Sequence, residues 1–70
     1  MKLQEIVGLN IRNLRNSRGL SQEQLALAAD IDRSYVSRIE LAKVSVSLEI
    51  LEQIALALGV APKELFNERG

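Results

Sequence analysis

LSQEQLALAADIDRSYVSRIE, residues 20 to 40, holds two helix starts with almost no linker between them. Ser21 is a natural N-cap, because its hydroxyl can accept from a free backbone N–H in the first turn. Gln24, three residues on, can reach back to the cap's own N–H and complete a capping box. Leu20 and Leu25 flank this start as a hydrophobic staple. The grammar then repeats, with Asp32 as the cap and Ile31 and Val36 as the second staple. Asp30 falls in the turn, where a left-handed residue is often needed and Asp is tolerated. Leu25, Ala28 and Ala29 have inward spacing on the first of the two helices, and alanines let another helix approach closely.

Two short capped helices set back to back are the pattern of a helix-turn-helix. On a wheel of about 100° per residue, Arg33, Ser34, Ser37 and Arg38 fit within an arc of roughly 140° on the second helix. Val36, Ile39 and Glu40 lie opposite. The major groove of duplex DNA admits one α-helix and offers guanine O6 and N7 to a bidentate arginine, while serine suits either kind of base edge. The pattern implies a recognition helix over residues 33 to 40, with Arg33, Ser34, Ser37 and Arg38 reading bases. Two arginines on an isolated helix would signify only a solvated face, and it is the capped partner helix that favours DNA. Gln22 opens the first of the pair, where free backbone N–H groups favour an anion such as a DNA phosphate. Lys43, just past the second, is a further candidate phosphate contact. Tyr35 can reach a phosphate or a thymine methyl, or lie against the preceding helix; the residues leave these open.

Working outward, Leu3, Val7, Ile11 and Leu14 make one apolar stripe, which predicts a helix from about Leu3 to Arg18 ended by Gly19. Val44-Ser45-Val46-Ser47 alternates like a strand but has no partner strand, so it reads as a loop. Ser47 then caps a helix over Leu48–Leu58, with Glu49 favourable to its dipole and Gly59 closing it. Pro62 at a first helical position opens a short last helix to about Asn67, with Leu65 and Phe66 turned inward. The expected fold is all-α, five helices around one small core, a single domain over residues 1–70.

Composition narrows the functions. The chain has 70 residues, no cysteine and no histidine. No disulfide can staple it, and no Cys/His metal site can form. A chain this short buries only about 60% of its extended surface, so good packing or a partner subunit must support it. The missing histidine and cysteine also remove the commonest general base and the strongest nucleophile, and the four isolated glycines make no phosphate loop. An enzyme is not expected, nor a cofactor, nor a small-molecule ligand. No apolar run approaches the roughly 20 residues of a membrane span, and a cytoplasmic location is the expectation. Nine basic residues balance nine acidic ones. Lys2, Arg12, Arg15 and Arg18 gather in the first twenty residues against Glu5 alone. Affinity for DNA must come from a local face and not a global field.

From about Val7 to Phe66 the chain resembles the phage-repressor and Cro helix-turn-helix family, the xenobiotic-response-element type of bacterial regulator. RNLRNSRGLSQEQLALAA matches that family's passage from helix 1 to helix 2, IDRSYVSRIE its recognition helix, and SLEILEQIALALGVAPKELF its last two helices. DRSYVSRIE also resembles the recognition segment of the small controller proteins of restriction-modification systems. The resemblance implies a transcriptional regulator, a repressor or dual regulator, that binds a pseudo-palindromic operator as a dimer. It implies base reading by Arg33, Ser34 and Arg38, a phosphate contact by Gln22, and a partly buried salt bridge between Arg15 and Glu40. Three positions depart from the pattern. Asp30 replaces a turn glycine, Leu41-Ala42 replaces a polar residue and a glycine, and Leu56 replaces a common lysine. Leu56 faces outward, among Glu49, Glu52 and Gln53, either as an ordinary single exposed apolar residue or as part of a homodimer contact with Ile50 and the C-terminal segment. The competing expectation is a protein-interaction module, such as an antitoxin or accessory subunit, using the same helices.

Overall fold

The structure is a computed structural model that describes residues 1–68. Four α-helices follow in order: α1 (Leu3–Ser17), α2 (Gln22–Ala29), α3 (Arg33–Glu40) and α4 (Leu48–Leu58). A 3₁₀ helix, Pro62–Phe66, comes last where a fifth α-helix was expected. Its five residues are too few to sustain an α-helical ladder, and Pro62 contributes no N–H to it. No strand forms among the described residues, and Val44–Ser47 is loop. No helix among the described residues is long and apolar enough to cross a membrane.

The expected starts form as written. The Ser21 hydroxyl accepts from the Gln24 N–H at 3.0 Å, and the Gln24 side chain accepts from the Ser21 N–H at 2.8 Å. Asp32 accepts from the Ser34 N–H, and Ser47 from the Ile50 N–H. The helix ends share a second device. After each α-helix one residue turns left-handed, namely Gly19, Asp30, Ala42 and Gly59. In each case the next N–H returns to a carbonyl five residues back, as when Lys43 donates to Arg38 at 2.9 Å. This closure satisfies helix-end carbonyls that would otherwise lack partners.

Ala42 is the costly member of that set, with φ 59° on a residue that has a Cβ. A left-handed alanine is strained by about 1–2 kcal/mol, while glycine loses about 0.4–1 kcal/mol through its freer unfolded chain. Ala42→Gly should therefore raise stability by about 0.5–1 kcal/mol. Chemical denaturation of the two proteins checks it, and a less stable glycine variant would refute the strain.

The core is built from Val7, Ile11, Leu25, Ala26, Ala29, Val36, Ile39, Leu51, Ile54, Ala55, Leu58 and Leu65. α1 packs on α3 and the 3₁₀ helix, α2 on α3 and α4, and α4 on the 3₁₀ helix. Two inward assignments change. Ala28 is exposed and Ala26 is buried, so the inner face of α2 is centred between Leu25 and Ala26. Leu3 is 58% exposed and Ile6 takes its place, because Leu3 sits in the first turn, beyond the edge of the core.

Two polar or small residues brace this packing. Gly8 is buried in α1, and a Cβ there would lie 2.5 Å from the Ile39 carbonyl oxygen at the far end of α3. Its bare backbone lets α1 and α3 nearly touch. The Asn10 amide nitrogen donates to the carbonyls of Ile6, Leu65 and Asn67, the last at 2.7 Å, and holds the end of the described chain onto α1.

Candidate nucleic-acid interface

α3 is held by its apolar side. Val36 and Ile39 are fully enclosed, and Gly8 admits the helix's last turn against α1. That leaves Arg33, Ser34 and Arg38 exposed and Ser37 half-buried on the opposite side. Gln22, Asp32, Arg33, Ser34, Ser37 and Arg38 line a single open depression. The four expected base readers and the expected phosphate contact at the start of α2 are thus brought together. Arg33 and Arg38 enter no ion pair with any described residue.

Ser34 has a structural duty as well. Its hydroxyl and its N–H both donate to the Asp32 carboxylate. These bonds, the hydroxyl's first, hold the Asp32 carboxyl below the usual carboxylate range, and the nearby positive charge of Arg38 acts in the same direction. A carboxylate depressed in the folded state contributes stability above its unfolded pKa and loses it as the pH falls through the folded value. The Asp32 cap should therefore be complete at neutral pH and fail only below about pH 4. Ser34→Ala should move the Asp32 midpoint upward in a carboxyl-carbon NMR titration. An unchanged midpoint would show that the hydroxyl is not the cause.

The Arg15–Glu40 pair forms as the resemblance implied. Arg15 Nε donates to one Glu40 oxygen at 2.7 Å, and a terminal nitrogen donates to the other at 3.1 Å. The side chains are 12% and 4% exposed. The remaining Arg15 nitrogen donates to the Leu20 carbonyl at 2.8 Å. The Glu40 hydrogen bonds raise the Arg15 pKa above its usual value, against the opposing effect of burial. Gln22 joins this group, donating from its amide nitrogen to Glu40 Oε1 at 3.1 Å. Nothing local marks that bond, since the partners lie eighteen positions apart.

The other candidates sort differently. The Tyr35 ring is half-buried against the core, which decides for the packed arrangement of its ring, and its hydroxyl has no partner among the described residues. Lys43 is exposed just past α3. Arg12, which sequence reasoning passed over as one charge among several, lines a second depression with Gln22, Ser37 and Leu41. Ile50 packs half-buried against the core, whereas Leu56 is 82% exposed. At about 100° per residue the two point some 120° apart, so they share no face of α4. Leu48, at the start of the same helix, is also exposed.

Residues 11–65 match the helix-turn-helix family. The chain belongs to that family of DNA-binding transcriptional regulators. It is 43% identical over 63 residues to control protein C.BamHI of Bacillus amyloliquefaciens, covering 89% of this chain and 78% of that one. It is 36% identical to control protein C.SmaI of Serratia marcescens, over all of this chain and 83% of the relative. Among solved structures it resembles the restriction-modification controller protein C.AhdI of Aeromonas hydrophila, with a TM-score of 0.88 and 43% identity over 90% of this chain and 96% of the other. α2 and α3 are the helix-turn-helix pair of this chain, and the exposed side of α3 carries Arg33 and Arg38, neither in an ion pair among the described residues.

Proposed function

We propose that this regulator binds a pseudo-palindromic operator as a homodimer, with α3 of each copy in the major groove and Arg33 and Arg38 on base edges. One observation carries the reading: two guanidinium groups stand exposed on one side of a rigid helix, free of ion pairs among the described residues, while its other side is locked in the core. A guanidinium without an internal partner keeps its donor fork available for guanine. The Ser34 hydroxyl donates its hydrogen bond to Asp32, so its oxygen remains an acceptor and suits a base amino group. Gln22, Lys43 and the Tyr35 hydroxyl serve the phosphates, which fix register without reading sequence. The exposed Leu56 on α4 offers an apolar contact for the second copy, and two-fold symmetry would place half-sites about 34–36 Å apart. The matches to control proteins favour a controller of the restriction-modification kind.

Binding titrations test this, using a duplex selected from a random pool and an unrelated duplex. Arg33→Ala and Arg38→Ala should each weaken the selected duplex by about 1–3 kcal/mol and relax its sequence preference. Gln22→Ala and Lys43→Ala should weaken both duplexes alike. Arginine variants that bind both duplexes as the parent does would reject the assignment. A monomer in sedimentation at high micromolar concentration, with and without DNA, would reject the dimer. The exposed Leu27 and Leu41 favour a second reading, docking on another protein. Affinity that falls steeply with salt separates the two, because DNA binding releases counterions.

A further inference from the structure

We propose that Glu40 is a positioning residue for phosphate capture: its carboxylate fixes the Gln22 amide so that one N–H is aimed at the DNA backbone. This rests on the reading above, in which Gln22 faces a phosphate.

The geometry is specific. Glu40 is the last residue of α3, and Gln22 is the first of α2. A glutamine amide has two N–H donors and one carbonyl, and a freely rotating amide presents either end to a ligand with equal ease. Here the Gln22 nitrogen donates to Glu40 Oε1, an oxygen that also accepts from Arg15. A carboxylate oxygen can only accept, so it selects the amide's nitrogen end. The second amide hydrogen has no partner among the described residues and is the one left for a phosphate oxygen. Glu40 itself is 4% exposed and its charge is matched by Arg15, so it can orient Gln22 without repelling the anion. The same carboxylate thus ties the start of α2 to the end of α3, the two points that must meet the duplex together.

A purely structural role would leave Gln22 unaffected once the fold is intact. The discriminating variant is Arg15→Met/Glu40→Leu, which removes both charges and the acceptor while leaving the net charge unchanged. Apolar replacement of a buried pair often preserves or improves stability, so this variant should fold. It should bind the selected and the unrelated duplex roughly tenfold more weakly, about what one hydrogen bond to a charged group contributes. Added to Gln22→Ala, the same pair of changes should cost nothing further. In the free protein the two Gln22 amide hydrogens should resonate well apart in nitrogen-correlated NMR, and move towards ordinary glutamine values in the variant.

Failure has distinguishable forms. A parent protein that binds no duplex overturns this proposal together with the DNA reading beneath it. If Gln22→Ala binds DNA as the parent does, there is no phosphate contact to position. If Gln22→Ala weakens binding while Arg15→Met/Glu40→Leu does not, or if their losses multiply independently, Glu40 does not act through Gln22 and the proposal fails while the DNA reading stands.

Discussion

Glu40→Gln should destabilise this domain by about 3 kcal/mol, because breaking a buried pair strands the other charge. The geometry sets the scale. Both Glu40 oxygens accept from Arg15, and the two side chains are 4% and 12% exposed. A glutamine amide keeps one acceptor and turns a donor towards a guanidinium, so Arg15 loses half its hydrogen bonding there and all of its neutralising charge. In a domain of this size such a loss lowers the melting temperature by about 12–24 °C. Glu68→Gln, on an exposed residue, should stay within about 0.5 kcal/mol. Thermal melts of the two variants side by side settle the matter: equal shifts would mean that the Glu40 carboxylate is no more enclosed than a surface one.

Gly8→Ala should lower stability by about 2 kcal/mol, the cost of overpacking less a small gain in helix propensity. On an open helix surface this change stabilises, since alanine is the best helix former. At position 8 the new methyl would meet the Ile39 carbonyl oxygen at 2.5 Å and the Glu40 carbonyl oxygen at 3.0 Å. Both are backbone atoms and cannot rotate aside. α1 and the last turn of α3 would have to part, and Arg15 and Glu40 would be drawn apart with them. Urea unfolding of the variant tests this, and a rise in the midpoint would show that the two helices have room to spare.

What the chain order reveals and conceals follows from the range of each interaction. The starts at Ser21, Asp32 and Ser47 were legible because a cap and its partner lie two or three residues apart. The outward placement of Arg33 and Arg38 was legible because Val36 and Ile39 fix the opposite side by helical period alone. The close approach at Gly8 and the tie from Asn10 to the chain end were not, since those partners stand 31 and 55 or more positions away and nothing local marks them. Ala26 and Ala28 could not be told apart either. Both flank the stripe begun by Leu25, and only the direction from which α3 and α4 approach decides between them. The salt bridge was reached through resemblance, but the attachment of Gln22 to it was not, because a surface glutamine at the head of a helix needs no distant partner to explain it.

The neutral total charge, set beside two arginines without ion-pair partners among the described residues, bears on how encounters with a duplex unfold in time. At physiological ionic strength a charge is felt over only about 8 Å. A duplex drifting past the flank of α4, with its exposed Glu49 and Glu52, meets no pull. One arriving at α3 meets the exposed Arg33 and Arg38 at contact range. On that footing the proposed binding would favour collisions that arrive with α3 facing the duplex, trading speed of arrival for a cleaner search.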